Sequence, residues 1–306
     1  MAASIGTTTT TSDLLKQYWH DFFLENLYAA FSLKGLTTKA KVGSGNGKVV
    51  WWVGMSKVSP VGASLSEGAD PNSASSTARR VSGTLTEYGK LVKNSRLFMD
   101  TAIDGTKEQI MKDLAQDAGK LLNGTLLATA LGGSNVVYAG GKVHRSDVVE
   151  ACTASVAEIM KCVRLLRLSS ATTFPDGKYV ALAHPDVSYD LMQDTKWVDV
   201  SRYRDTVKYD IPGEVGTLYG VRFIDDPTIE ILLNSGSANT DLYRTLVFGP
   251  GYLGQSELGE LEIVMNEPGR NSELNMFNTY GYRFVMANNI LHEARGVRLE
   301  SNSTLA

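Results

Sequence analysis

The sequence is poor in the residues from which most active centres are built. It holds two cysteines, Cys152 and Cys162, and four scattered histidines, His20, His144, His184 and His292. It has no HExxH, no CxxC and no His/Cys cluster, so nothing supports zinc. No GxSxG elbow marks a hydrolase serine, and no pair of residues makes a case for acid–base catalysis. Long apolar runs are missing too. No stretch of about 18 apolar residues occurs, so no membrane-spanning helix is expected. The opening MAASIGTTTTTSDLL lacks the basic and apolar stretches of a secretory signal, and the chain is expected to stay in the cytoplasm where it is made. Basic charge is not in excess. Thirty Lys and Arg stand against 33 Asp and Glu, for a net charge of -3. That balance disfavours a protein that coats a genome or reads a strand.

Several short stretches imitate sites and fail on inspection. Gly43–Lys48 resembles a phosphate loop, but Val42 stands where its first glycine is required and Val49 where a magnesium-binding hydroxyl is required. It also precedes a strand pattern rather than a helix, so it reads as a linker. Asp225-Asp226-Pro227 reads as a turn. Glu257, Glu260 and Glu262 read as a solvated rim, and His184-Pro185-Asp186 as a strand-to-helix junction. Arg79-Arg80 and Arg202-Tyr203-Arg204 read as solvated faces or intersubunit ion pairs.

What is present is core-forming material. Hydrophobic residues make up 43% of 306 residues, enough to bury one large or two modest units. Helical periodicity is expected over Ser12–Ala30, with Leu15, Trp19, Phe23 and Leu27 on one face. A face so aromatic needs a partner surface, either the chain's own core or a neighbouring subunit. A long helix is expected from Thr106 to about Leu131, stopped by Gly132-Gly133, with a Thr106/Gln109 capping box and Ile110, Leu114, Ala118, Leu121 and Leu122 buried. A short hairpin over Asn135–Val143 follows. Another helix is expected from after Ser146 to about Leu168. Cys152 and Cys162 both fall on it, roughly 15 Å apart, too far for a disulfide; two reduced, core-lying thiols are expected.

Between these helical stretches lies a different texture. Val49–Val53, with Trp51 and Trp52, reads as a strand, and Arg80 to about Val92 as its return. Residues 56–78 between them are rich in Ser, Ala and Gly and have no helical period. Such a hairpin is marginal alone in water, and so long a loop is uncommon unless functional. The pair is expected to find cover outside its own core. From Lys178 onward, short elements alternate. Strands are expected at Tyr179–Ala183, Tyr219–Ile224, Leu242–Phe248 and Leu261–Met265, with a helix at Asp186–Gln193. A last strand region, Thr279–Leu291, returns after this lobe.

The order of these features, together with several local sequences, resembles the major capsid proteins of tailed phages with the HK97-like fold, and among them the phage N4-type family. Leu65-Ser66-Glu67-Gly68 followed by Pro71 is similar to that family's extended-loop segment. Glu87-Tyr88-Gly89 with Leu91-Val92 is similar to its returning strand. Gly213-Glu214-Val215-Gly216 and Gly220-Val221-Arg222-Phe223 are similar to its axial-domain turn and strand. Tyr280-Gly281-Tyr282-Arg283-Phe284, Ile290-Leu291 and Val297-Arg298-Leu299-Glu300 are similar to its C-terminal strands. Ser66 stands where threonine is usual, and Tyr282 where tryptophan is.

The resemblance implies an α+β fold in four parts: an N-terminal arm (1–46), an extended β-hairpin loop (47–95), a peripheral domain with a long spine helix (96–175 and 269–306), and an inserted axial domain (176–268). It implies a non-enzymatic shell protein without cofactor or metal. Its copies would form hexamers and pentamers of an icosahedral head enclosing double-stranded DNA, assembled in the host bacterial cytoplasm. Portal, scaffolding and decoration proteins are the expected partners, and no membrane is involved. The residues expected at subunit contacts are Trp19, Phe23, Trp51, Trp52, Val53, Leu65, Glu67, Tyr88, Arg79 and Arg80. Of these, Trp51, Trp52, Val53 and Tyr88 are expected to be covered mainly by other copies. An encapsulin-like compartment of the same fold, a hydrolase with an inserted lobe, and a monomeric binding module are the competing readings.

Overall fold

The computed structural model describes residues 20–27, 33, 35–41, 47–55, 78–101, 106–197, 214–257, 261–266 and 276–305. In chain order the elements are a helix over 20–27 (α1), β1 (Thr38–Lys41), β2 (Val49–Met55), β3 (Ala78–Thr84), β4 (Thr86–Ser95), α2 (Arg96–Thr101), α3 (Thr106–Ala130), β5 (Val136–Tyr138), α4 (Val156–Leu168), β6 (Tyr179–Ala183), α5 (Pro185–Gln193), β7 (Glu214–Leu218), β8 (Val221–Asp225), β9 (Tyr243–Phe248), β10 (Leu253–Glu257), β11 (Glu262–Asn266), β12 (Phe277–Ile290) and β13 (Gly296–Ser301).

The strands form two sheets and a ribbon. β12 is the axis of the first sheet. One of its edges pairs antiparallel with β4 along ten residues, and the other pairs with β11 and then β10. β1 lies parallel outside β10. The second sheet has six strands in the order β5-β13-β9-β6-β8-β7. β2 and β3 form a two-stranded ribbon, with Trp51 opposite Ser82 and Trp52 opposite Val81.

Side-chain alternation decides which faces meet. Along β12, Tyr280, Tyr282, Phe284 and Met286 all point into one cluster. β6 is buried on both faces, which explains its unbroken apolar run. Val180 and Leu182 join the β12 cluster, while Tyr179, Ala181 and Ala183 pack on the other side against α4 and α5. The spine α3 spans about 37 Å and supplies Met111, Leu114, Ala115, Ala118, Leu126, Leu127 and Ala130 to the first cluster. One helix thus covers both the long-strand sheet and one face of the six-stranded sheet.

Polar clamps set the helix against the sheets. Asp117 accepts hydrogen bonds from Lys90 of β4 at 2.6 Å and from the Tyr282 hydroxyl of β12 at 2.7 Å. Burial works to raise its pKa, but these hydrogen bonds and the Lys90 and Lys120 charges hold it below the usual carboxylate range. Near the other end of α3, Asn123 donates to Asp226 at 2.6 Å. Asp226 in turn accepts from the Thr228 amide at 2.8 Å, the turn expected of Asp-Asp-Pro. On β13, Glu300 has no exposed surface. It receives two hydrogen bonds from Arg145, at 2.7 and 2.5 Å, and an ion pair from Arg298 at 2.9 Å.

Several expectations need correction. The second long helix starts at Val156, not after Ser146. Ser155 caps it by accepting from the Glu158 amide, and the Ser155-x-x-Glu158 spacing is itself a capping-box signature. The residues before it form a 3₁₀ turn at Arg145–Asp147 and an irregular strand-like path. Cys152 is therefore not helical, although both thiols are free and buried as expected. Asn135–Val143 is not a hairpin, because β5 pairs parallel with β13 instead. The Gln109 side chain donates forward to Asp113. The returning strand is two strands, broken at Leu85, which change partners from β2 to β12. β5, α4 and β13 belong with the six-stranded sheet, and β10 and β11 with the long-strand sheet.

Candidate assembly surfaces

The β2–β3 ribbon has two faces of opposite fate. Val50 and Trp52 point inward and are buried with Ala287 and Leu291 of the chain's own body. The indole of Trp52 lies in a slot that exists because two residues lack side chains. A Cβ on Gly83 would come within 2.7 Å of the Trp52 ring, and one on Gly254 within 3.0 Å. Its Nε1 has no hydrogen-bond partner among the described residues. Two polar contacts fasten the ribbon further. Asn289 donates to the Ser82 carbonyl at 2.6 Å, and an Arg79 guanidinium nitrogen lies 3.1 Å from His292 Nδ1.

The alternate side chains of β2 face outward. Val49, Trp51 and Val53 remain 40%, 57% and 66% exposed, opposite Thr84, Ser82 and Arg80. A row of large apolar groups on solvent is unusual for a chain that works alone. Trp51 and Trp52 are adjacent in sequence, and the period of two in a strand sends them to opposite surroundings. A second exposed apolar group surrounds α2, where Leu97 and Phe98 lie open and the Arg96 amide bonds the Met276 carbonyl at 2.8 Å.

The residues expected at subunit contacts therefore separate. Trp51, Val53 and Arg80 are exposed, and Arg79 is exposed while touching His292. Phe23 must be corrected. It is wholly buried in the chain's own core, near Tyr282, and has no surface left for a neighbour. Trp52 must be corrected for the same reason. Tyr88 is half-buried and stacks on Phe284 at 5.6 Å, so part of its cover is internal. Trp19, Leu65 and Glu67 lie outside the described residues. Sequence reasoning missed the Gly83 and Gly254 slot and the Asn289 and His292 anchors. Gly254, Asn289 and His292 act across some 200 residues of chain and leave no local signal. The α2 patch was missed because six residues are too few to carry a period.

Among the described residues no group of three or more His, Cys, Asp or Glu is placed to hold a metal. Burial pushes the Cys162 thiol up to about 12, helped by the nearby Glu158 charge, which leaves it protonated and inert.

No family model matches the chain, and no curated protein matches it in sequence. Solved structures do match in fold. The chain is similar to a chain of the cyanophage Pam1 capsid asymmetric unit, with TM-score 0.68, 15% identity, and coverage of 91% of this chain and 92% of that one. It is similar to the capsid of Ralstonia phage GP4, with TM-score 0.70, 11% identity and coverage of 88% and 87%. It is also similar to the head of Helicobacter pylori bacteriophage KHP40, with TM-score 0.66, 12% identity and coverage of 90% and 91%. Coverage near nine-tenths on both sides makes the likeness one of the whole fold, and this chain has the HK97-like α+β fold of phage capsid proteins.

Proposed function

We propose that the chain is the major capsid protein of a tailed phage and that its copies build the icosahedral head around double-stranded DNA. The observation that carries this reading is the split ribbon: a root locked onto the subunit's own body and an outer face of Val49, Trp51 and Val53 left to solvent, within a fold similar to capsid chains over nearly its full length. A closed shell needs head-to-tail contacts that close by rotation and then contacts between rings. A ribbon anchored at its root and apolar outside offers such a contact without enlarging the core.

In this reading hexamers and pentamers are the intermediates, and Trp51, Val53, Arg80, Trp19, Leu65 and Glu67 meet neighbouring copies. The chain catalyses nothing. Portal, scaffolding and decoration proteins are partners to be sought in the infected host's cytoplasm, and the finished protein resides in the virion. A slightly acidic wall suits dense DNA, which must be packed and released without tight binding.

Negative-stain electron microscopy and size-exclusion of the purified protein test this directly. Rings or closed particles are expected. A species eluting at its 33.2 kDa monomer mass at every concentration, with no particles on the grid, overturns it.

A further inference from the structure

We propose that the groove beside α4 receives the acidic, apolar outer face of α5 from a second copy of this chain, and that this contact closes the subunit ring. The inference deepens the capsid reading and rests on it.

The groove has a volume of 860 Å³. Met160, Leu168 and Tyr219 on its floor are each more than two-fifths exposed. Its rim carries four cations, Lys161, Arg164, Arg167 and Lys196, and no carboxylate. Lys161 is held by Glu158 at 2.9 Å. No ion pair among the described residues engages Arg164, Arg167 or Lys196. A chain of net charge -3 thus gathers cations around an uncovered apolar floor, which calls for an apolar occupant bearing negative charge. A second groove, across β4, β11 and β12, makes no such demand, because its Arg283 is already paired with Glu87 and Glu262.

The complementary surface is on the same lobe. α5 carries Asp186 and Asp190, with Asp194 directly after it, and no lysine or arginine. Tyr189 and Met192, one helical turn apart, are exposed at 47% and 36%. Asp190 accepts from the Thr304 amide at 2.9 Å and Asp186 from the Tyr243 hydroxyl at 3.0 Å. These neutral donors leave the negative charge in place, and among the described residues the ion pair made by α5 is that of Asp186 with His184, at 3.2 Å.

Within one chain the two helices lie side by side, with Asp194 accepting from the Val156 amide at the start of α4 at 3.2 Å, so the anionic groups left on the α5 face are Asp186 and Asp190. α4 packs on the six-stranded sheet through Val156, Ile159 and Leu166, and α5 on the same face through Val187 and Leu191. Their open sides both point away from that sheet. A cationic patch and a different, anionic patch on one subunit form a heterologous pair, the type that closes into rings.

The test uses full-length protein. Arg164→Glu removes a rim cation, and Met192→Lys places a cation on the incoming face. Each change alone should reduce the assembled fraction, read by velocity sedimentation and negative stain, at least tenfold. The double variant should restore it. Independently, chains bearing Leu168→Cys mixed with chains bearing Met192→Cys should form an intermolecular disulfide that neither forms alone. Both native thiols are buried and do not interfere. Single variants that assemble like the wild type, a double variant that does not recover, or absence of the mixed disulfide overturns the contact while leaving the capsid reading intact. Wild-type protein that never assembles overturns both. If Arg164→Glu loses its helical circular dichroism, the disulfide result decides.

Discussion

Replacing each of the twin tryptophans by alanine separates folding from assembly, because adjacent residues serve different bodies. Trp52 fills a slot in its own subunit and is 8% exposed. Trp52→Ala leaves a cavity that Gly83 and Gly254 cannot refill, and it should destabilise the subunit by about 3–5 kcal/mol. Trp51 is 57% exposed. A tryptophan buries up to about 250 Å², so about 140 Å² remains to be covered, worth about 3.5 kcal/mol at about 25 cal/mol per Å². Interfaces rarely cover every atom, so a loss of about 2 kcal/mol per contact is expected for Trp51→Ala, or roughly a 30-fold higher assembly threshold. Its effect on the subunit's own stability should stay within about 0.5 kcal/mol. Urea unfolding of dilute, unassembled protein reads the first quantity, and light scattering against concentration reads the second. If Trp51→Ala unfolds as easily as Trp52→Ala, or assembles at the wild-type threshold, the division of the ribbon into an inner and an outer face is mistaken.

Four further outcomes rest on other contacts of the subunit. Glu300→Ala strands Arg298 and half-buried Arg145 without their carboxylate and should cost about 3–5 kcal/mol in urea unfolding. Gly296→Ala drives a methyl group into the Tyr252 ring and should destabilise by about 1–3 kcal/mol, visible as a lower thermal midpoint. Asp117 has a folded-state pKa below its unfolded value of about 3.9, so its clamp is fully formed above that value and is lost as pH falls through the lowered one; Asp117→Asn should flatten the acid limb of the stability curve and leave neutral pH less affected. Cys162, with its thiol pushed up to about 12, should resist thiol-specific reagents at pH 8 and react fully in denaturant.

Much of the fold could be read from local pattern, and the reason is period. Tyr179–Ala183 is an unbroken apolar run and is found as β6. The 3.6-residue recurrence from Thr106 ends at Gly132-Gly133 and is found as α3; Leu114 and Ala118 are buried as expected, Ile110, Leu121 and Leu122 are partly buried against the same core, and Met111 and Ala115 join the buried seam. Pattern failed where distant partners compete with a local period. Val149, Cys152 and Val156 fit a helical face, yet Arg145 is drawn to Glu300, and Asn302 bonds the carbonyls of Cys152 and Glu150. Partners about 150 residues away outcompeted the local helix.

The sequence by itself determined that an aromatic ribbon, a long helix and a strand-rich lobe would occur in this order, because alternation and capping act over a few residues. It also determined that none of the common motifs for metal or nucleophile chemistry would be found. Only tertiary structure decided which tryptophan is shelter and which is surface. That choice depends on two glycines beside the indole, Gly83 on the ribbon's own second strand and Gly254 arriving from β10. Only tertiary structure likewise gathered Lys196 and Tyr219 beside α4. Charge and apolar area add across space, and chain order carries no record of that sum.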